Sequence, residues 1–185
     1  IGLRSQGPWG RERAWVKAHL GALVRPLLNR WFEGFDLLLP NSRVEIDNVR
    51  TYNRISQTTR FVSVPNGVDE LPSWADEVGA PPFDFEYVLY PGVFAPRKNQ
   101  LGFIRAMRDQ PYRVVFMGGP IPTEAGRRYY SACREAAPAT HLFLGRVGHG
   151  SREFYALMRG ARVACLASSC ETPGIAALEA ARMGA

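Results

Sequence analysis

Hydrophobic positions follow a regular rhythm in the second half of the chain. After residue 85, four short apolar runs are each followed by a segment in which apolar residues recur at helical spacing. The apolar runs are YVLYPG (87–92), RVVFMGG (113–119), HLFLG (141–145) and RVACLAS (162–168). The helical segments lie around 100–108, 123–136, 151–159 and up to about Met183. Runs that are apolar at nearly every position are typical of parallel strands buried on both faces, so we predict a doubly wound α/β domain.

The first part of the chain has fewer regular elements. Residues 11–33 show helical spacing of apolar side chains, although Pro26 should kink or interrupt that helix. The run DLLLPNS (36–42) predicts a short buried strand, and a second strand is predicted at Phe61–Val64, before the turn signal PNG (65–67). This pattern differs from the rhythm that follows and indicates a separate unit.

A stretch with three prolines and no periodicity separates the two patterns. It covers residues 70–84, ELPSWADEVGAPPFD, and its composition is typical of a linker. We therefore predict one domain over 1–69, an interdomain linker over 70–84 and a second domain over 85–185. Because the chain opens without a methionine and stops where a helix is finishing, we interpret both domains as partial.

The charge of the chain is positive and unevenly distributed. The net charge is +6, and residues 1–60 contain ten Arg or Lys against five Asp or Glu. Such a bias can attract the first segment to an anionic membrane face or an acidic partner, and the alternative is an ordinary solvated basic surface. No stretch approaches 18 consecutive apolar residues, and the first residues of the sequence do not show the pattern of a signal peptide. We expect a cytoplasmic protein, with possible peripheral membrane association and no nucleic-acid partner.

The cysteines and histidines do not indicate a disulfide framework or a metal site. The cysteines are Cys133, Cys165 and Cys170. They form neither an even set nor a CxxC pair, so we expect reduced thiols. The histidines are His19, His141 and His149, which lack the spacing of metal ligands.

The loop after the first strand of the second domain, in YPGVFAPRKN, carries candidate phosphate-binding residues. In an open parallel sheet, ligands bind where strands end and helices begin. Gly92 lets a ligand approach the backbone, and Arg97 and Lys98 come just before a helix. An ammonium group there can face a phosphate. The alternative is a surface loop that happens to be basic.

The stretch SSCETPGIAALEA (168–180) carries a second candidate anion site. Thr172 is a plausible N-cap, with Pro173 in the favoured first helical position. Gly174 permits close approach to the free N–H groups of Ile175 and Ala176, and a helix N-terminus binds anions through such groups. The motif therefore predicts a phosphate contact.

Two glutamates flank this helix start. Acids beside an anion site would repel the anion, so we expect Glu171 and Glu179 to accept hydrogen bonds from sugar hydroxyls on either side of the phosphates. A nucleotide-sugar offers that order: ribose, diphosphate, hexose. The alternative is that Glu179 lies on a merely solvated helix face.

The ordered set of motifs resembles the group 1 family of retaining glycosyltransferases, whose GT-B architecture has two Rossmann-like domains that face each other across a cleft. DLLLPNS and VPNGVD resemble the end of the acceptor domain, and YVLYPGVFAPRKNQLGFIRAM resembles the first unit of the donor domain. HLFLGRV and SSCETPGIAALEAARMGA resemble later units, the last being the family's Glu-x7-Glu motif. The likeness spans about residues 36–185. It implies that 1–69 is the C-terminal part of the acceptor domain and 85–185 most of the nucleotide-sugar-binding domain.

The resemblance implies a role for each matching residue. Lys98 matches the lysine that neutralises the donor diphosphate, Glu171 the acid that contacts the donor sugar, and Glu179 the acid that holds the ribose. The backbone that meets the phosphates matches Gly174, Ile175 and Ala176. Arg146 and Val147 fall where the family commonly contacts the base. The implied reaction is transfer with retention to a saccharide or lipid-linked acceptor, in which charge on the departing phosphate is stabilised without a metal or other cofactor.

Some residues depart from the family's pattern. Val93 stands where the family often has an arginine that supplies a second phosphate cation, and Arg97 is the candidate to compensate. Thr172-Pro173 replaces a more usual Gly-Phe. His19 lies in the wrong context for the family's catalytic histidine, which we expect, where present, to precede Ile1.

Three functions compete at this point. The first is a glycosyltransferase of the hexosyltransferase type. The second is a catalytically degenerate GT-B protein that binds nucleotides or acts as a scaffold, a hypothesis motivated by Val93. The third is a dinucleotide-dependent oxidoreductase, which is disfavoured because no GxGxxG follows a strand.

Overall fold

The computed structural model describes most of the chain after residue 25. The described residues are 26, 27, 29–32, 34–53, 55, 59–79, 81, 83–169, 171 and 174–185. The chain divides into two compact units, Ile1–Pro65 and Asn66–Ala185. Of the predictions above, those on residues 11–25 of the first helix and on His19, Cys170, Thr172 and Pro173 lie outside the described residues.

The first unit contains a small parallel sheet and a helix. Residues 26, 27 and 29–32 are helical. Strand β1 (Leu37–Leu38) pairs in parallel with β2 (Arg60–Phe61), and helix α1 (Arg43–Asn53) lies between them in sequence. Both strands were predicted, but they are shorter than their apolar runs. The α1 helix begins after Ser42, whose Oγ accepts a hydrogen bond of 3.2 Å from the Glu45 N–H.

The second unit contains a four-stranded parallel sheet with helices between its strands. The strands are β3 (Tyr87–Pro91), β4 (Arg113–Met117), β5 (His141–Gly145) and β6 (Val163–Ala164). The helices are α2 (Gln100–Met107), α3 (Glu124–Ala136), α4 (Arg152–Arg159) and α5 (Ile175–Arg182). These elements confirm the predicted alternation of strands and helices. Side-chain caps from Thr123 and Ser151 begin α3 and α4.

The strand order creates a place where the direction of the connections reverses. The order across the sheet is β5-β4-β3-β6, and every pairing is parallel. The chain therefore moves outward from β3 to β5 and then returns to add β6 on the other side of β3. In such sheets ligands bind at the carboxyl ends of the two strands that flank this switch point, here β3 and β6.

Both faces of the sheet are covered, as the uninterrupted apolar runs predict. On one face, Tyr87 and Leu89 pack with residues of α4 and α5. On the other, Val88 and Tyr90 pack with residues of α2 and α3. Successive residues of β3 point to opposite faces, so a strand buried on both must be apolar at every position.

The segment predicted as a linker is largely packed against the second unit. It contains a short 3-10 helix, Ala75–Glu77, and Ala75 and Val78 are buried. Leu71 and Trp74 contact the cluster that includes Val78, and Trp74 makes an edge contact with Tyr155. Residues 70–84 thus belong to the second compact unit, and the division falls earlier, after Pro65. Their apolar side chains are spaced without a period, which is why the sequence pattern suggested a linker.

Candidate functional site

Three loops lie at the edge of the second sheet formed by the carboxyl ends of its strands. One follows β3 and carries Gly92 to Asn99, one follows β5, and one follows β6. Close backbone approach between the ends of β3 and β4 requires a glycine, because a Cβ on Gly118 would lie 2.0 Å from the Gly92 carbonyl oxygen. Gly92 itself has φ of 126°, a conformation that disfavours other residues. Glycine at these two positions therefore lets the ends of β3 and β4 pack closely at this edge of the sheet.

Lys98 and Glu171 form an ion pair across the switch point. Lys98 ends a 3-10 helix (Pro96–Lys98) just before α2, and Glu171 follows β6. The Lys98 Nζ lies 2.8 Å from Oε1 and 2.6 Å from Oε2 of Glu171, so the ammonium donates to both oxygens. The side chains are 13% and 26% exposed, respectively. The structure thus brings together the residues predicted to contact the donor diphosphate and the donor sugar, which are 73 positions apart in sequence.

The pair changes the acidity of Glu171. Partial burial of the carboxyl would by itself raise its pKa, but hydrogen bonding to Lys98 and Ser168 and the charges of Lys98 and Arg97 together outweigh burial. The net result is that the pKa of Glu171 lies below the usual value for glutamate. The carboxylate therefore stays ionised, and it can accept hydrogen bonds from hydroxyl groups.

Backbone and hydroxyl contacts hold the Lys98 and Glu171 loops together. Tyr90, buried on β3, donates its hydroxyl hydrogen to the Lys98 carbonyl and accepts a bond of 3.0 Å from the Ala167 N–H. The Ser169 N–H and Oγ both donate to the Arg97 carbonyl, at 2.9 and 3.1 Å. Because the Ala167 N–H donates to a side chain and not to the backbone of a neighbouring strand, β6 does not extend to the end of its predicted span, 162–168.

Removing the Tyr90 hydroxyl is expected to disturb the ion pair. In Tyr90→Phe, the Lys98 carbonyl and the Ala167 N–H lose a shared partner, at a cost of about 1–3 kcal/mol in the free energy of unfolding. We also expect any activity of the intact protein that depends on the Lys98–Glu171 pair to fall about tenfold, because the two side chains are less well placed. Urea unfolding and steady-state kinetics would measure the two effects.

Tyr87→Phe provides the matched control. Tyr87 lies on the same strand as Tyr90 but faces the other side of the sheet. Its hydroxyl donates to the carbonyl of Leu157 on α4 at 2.8 Å. We expect a comparable loss of stability without a loss of rate. Equal rates in the two variants would contradict the positioning role of Tyr90.

A cavity of about 310 Å³ lies at the same edge of the sheet. Its walls come from the ends of β3 and β4, from the loop after β5 and from α5. The lining residues include Gly92, Val93, Arg146, Val147, Ala176 and Glu179. All six were singled out from the sequence, and they come from the loop after β3, the loop after β5 and helix α5. The Glu171 and Lys98 side chains are not among the lining residues.

Glu179 is held by a histidine. Glu179 lies on α5 and is 16% exposed, and its Oε1 lies 2.6 Å from the His149 Nε2. His149 follows β5 and also lines the cavity. Glu179 therefore does not lie on a freely solvated helix face, the alternative considered above. His149 had been interpreted only as one of three scattered histidines. Its place between two glycines, in a loop that follows a strand, was the available signal.

The N-terminus of α5 differs in detail from its predicted form. The helix begins at Ile175, because Gly174 at the preceding position has a non-helical ψ of 81°. The N–H groups of Ile175 and Ala176 are the first two of the helix and have no intrahelical acceptor. Ala176 lines the cavity, whereas the Ile175 side chain is largely exposed.

The loop after β3 holds a contact that the sequence did not suggest. Gln100 is fully buried, and its Nε2 donates to the Val93 carbonyl at 2.8 Å. This bond connects the start of α2 to the loop at the cavity wall. Arg97 is exposed and contributes its backbone carbonyl to the loop contacts described above, while its side chain is not among those that line the cavity.

The remaining titratable candidates lie away from this site or are protected by burial. Cys133 is buried, which raises its pKa to about 11, and burial also raises the pKa of Cys165. His141, buried at the start of β5, has its pKa lowered by burial. Among the described residues, no group of three or more His, Cys, Asp or Glu side chains is placed to hold a metal ion. No helix in the described part of the chain is long and apolar enough to cross a membrane.

Comparison with known proteins gives a consistent family assignment. The sequence model of the family described as Glycosyl transferases group 1 matches residues 76–185. None of the curated proteins matches the chain significantly. The matched residues include the whole second sheet and all three loops of the site, so the family match and the site fall on the same part of the chain.

Solved structures share the fold of the chain. It is similar to AviGT4, a glycosyltransferase involved in avilamycin A biosynthesis (18% identity, TM-score 0.54, 80% of this chain and 45% of that one). It is also similar to a glycosyltransferase from Rickettsia africae (12% identity, TM-score 0.57, 76% and 41%). A third is Anabaena HepE, solved in complex with UDP-glucose (16% identity, TM-score 0.64, 89% and 47%). The chain spans less than half of each structure, and the likeness confirms the predicted GT-B fold class.

Proposed function

The chain belongs to the group 1 glycosyl transferase family, and we propose that it carries the donor-binding part of an enzyme that transfers a sugar from a nucleotide-sugar to an acceptor. The observation that carries the proposal is the Lys98–Glu171 ion pair at the switch point of the sheet. On the same edge, a cavity is lined by Glu179 and by the start of α5. A cation, two carboxylates and a free helix N-terminus match the phosphates and hydroxyls of a nucleotide-sugar.

Each part of the site has a role in this proposal. Glu179 accepts hydrogen bonds from the ribose, and the N–H groups of Ile175 and Ala176 contact the diphosphate. Lys98 neutralises charge on the diphosphate as it departs, which is where negative charge develops in the transition state. Glu171 accepts hydrogen bonds from hydroxyls of the transferred sugar, with its carboxylate kept ionised by Lys98. Arg146 and Val147 lie at the cavity wall, where they would contact the base.

Further features of the reaction belong to the same proposal. We infer transfer with retention of anomeric configuration, which NMR of the initial product would test, since an inverted product contradicts it. We also infer that no metal or other cofactor takes part, because Lys98 supplies the positive charge. A saccharide or lipid-linked acceptor is proposed from the family, with the protein in the cytoplasm.

Association with the membrane face is proposed from the basic residues of the first segment. Flotation with neutral and anionic liposomes at low salt would test it, and equal recovery with both would contradict it.

A degenerate, non-catalytic GT-B protein is the second candidate, and one observation favours it. Val93 contributes only an apolar side chain to the cavity wall, at a position where the resemblance led us to expect a cation. Such a protein would bind a nucleotide without transferring sugar. Transfer or donor hydrolysis by the intact protein that is lost in Glu171→Ala would exclude this candidate.

A binding screen of the intact protein tests the donor site directly. We expect one nucleotide-sugar among those of UDP, GDP, ADP and dTDP, with UDP-glucose included, to raise Tm by several degrees. At a ligand concentration of 100 times Kd, binding stabilises the folded state by about 2.7 kcal/mol. The shift should disappear in Glu179→Ala and persist in the control Glu124→Ala, whose side chain is exposed on α3. No shift with any donor, in folded protein, would contradict the proposed function.

A further inference from the structure

His149 is held in place on the wall of the cavity by its own turn. The Ser151 N–H donates to the Gly148 carbonyl at 3.1 Å, and Ser151 then caps α4. Gly150 has a φ of 74°, which a glycine adopts without strain. The imidazole packs against the buried ring of Phe154, with ring centroids 4.9 Å apart. The ring therefore has a defined position before any ligand arrives.

The direction of the hydrogen bond between His149 and Glu179 follows from their chemistry. An ionised carboxylate can only accept hydrogen bonds, so the His149 Nε2 carries the hydrogen and donates to Glu179 Oε1 at 2.6 Å. The imidazole is 63% exposed and the carboxylate only 16%. The histidine therefore covers one oxygen of Glu179. No described residue is recorded as a hydrogen-bond partner of the other oxygen, Oε2.

We propose that His149 is a positioning residue that orients Glu179 toward the ribose, and that the site thereby selects ribonucleoside over deoxyribonucleoside diphosphates. The inference rests on the proposed function, because it assigns the ribose to Glu179. With Oε1 held by His149, rotation of the carboxylate is restricted, and Oε2 accepts a hydrogen bond from a ribose hydroxyl. A nucleotide that lacks this hydroxyl leaves a largely buried carboxylate oxygen without its partner, which lowers the affinity for that nucleotide.

In this inference His149 acts through Glu179 and not through the base or the phosphates. Of the charged or titratable side chains that line the cavity, His149 is the one that bonds to Glu179, while Arg146 donates at 3.3 Å to the Pro120 carbonyl. An effect of His149 on binding should therefore depend on the sugar of the nucleotide and should be alike for every base.

Calorimetry on the intact protein with matched nucleotides tests the inference. The probes are UDP, GDP and ADP, each with its 2′-deoxy and 3′-deoxy counterpart. We expect the wild type to bind its preferred ribonucleotide about tenfold more tightly than at least one deoxy counterpart, the effect of one hydrogen bond to a charged group. In His149→Ala this preference should be lost, because only the affinity for the ribonucleotide decreases. His149→Gln, which keeps an N–H donor, should restore most of it, and Arg128→Ala on α3 should behave as the wild type.

The outcomes separate this inference from the proposed function. A preference for ribose that persists in folded His149→Ala would overturn the positioning role alone. Tighter binding of ribonucleotides by His149→Ala would also overturn it, because His149 would then compete with the ribose for Glu179. A wild type that binds none of the nucleotides would overturn the proposed function and this inference with it.

Discussion

Lys98→Met is expected to lower kcat for sugar transfer by about 10²–10³-fold, the effect of removing one preorganised group that stabilises charge in a transition state. The methionine has a similar shape but no charge. Two consequences are expected. In the proposed reaction the departing diphosphate loses its cation, and Glu171, which pairs with Lys98 in the structure, loses its positively charged partner. Steady-state kinetics of the intact protein with donor and acceptor would measure the loss in kcat and KM separately.

The charge alone should not be enough to restore the rate. Lys98→Arg keeps the positive charge but replaces a compact ammonium with a planar fork, so we expect intermediate activity. Arg105→Ala, an exposed site on α2, serves as the control and should leave kcat unchanged. A wild-type rate for Lys98→Met would show that the ion pair has no part in catalysis.

The same variant should change the acidity of Glu171. Burial of the carboxyl favours its neutral form, and Lys98 is the main group that opposes this effect. We therefore expect the pKa of Glu171 to rise in Lys98→Met, as followed by carboxyl NMR. An unchanged pKa would mean that other groups keep the carboxylate ionised.

Glu171→Gln is expected to lower kcat by about 10²-fold and to raise KM for the donor only slightly. The amide keeps the size of the side chain but accepts hydrogen bonds less strongly than a carboxylate and no longer pairs with Lys98. The loss should fall mainly on kcat because the contacts of Glu171 with the transferred sugar are expected to strengthen in the transition state. Glu135→Gln, exposed on α3, is the matched control. Equal losses in both variants would point to a general effect of charge.

The pH dependence of stability gives a second test of Glu171. Its pKa in the folded chain lies below the usual value, so ionisation of Glu171 stabilises the fold above the pKa of the unfolded chain, and this contribution is lost as the pH falls through the folded pKa. The effect is small because the carboxylate is partly exposed. The difference in Tm between wild type and Glu171→Gln should therefore shrink on acidification. A constant difference from neutral to acid pH would contradict a depressed pKa.

Local sequence patterns predicted the elements of the second unit well. Strands β3, β4 and β5 and the helices that follow them were located within a few residues, because apolar runs and helical spacing depend only on neighbouring positions. Two elements differ from their predicted bounds: β6 is shorter and α5 starts later. The reason is non-local at β6 and local at α5. The Tyr90 hydroxyl takes the N–H of Ala167 beyond the end of β6, and the conformation of Gly174 delays α5.

The sequence by itself determined which residues stand in the loops between strands and helices, including Lys98, Glu171 and Glu179. Only the tertiary structure decided which of them meet. The Lys98–Glu171 pair, the His149–Glu179 bond and the role of Tyr90 between the two loops join positions 73, 30 and 77 residues apart. The first and third contacts follow from the strand order that places β6 beside β3, and the second requires that α5 meets the loop after β5. The periodicity of a segment carries no information about the neighbour that its strand will have in the sheet.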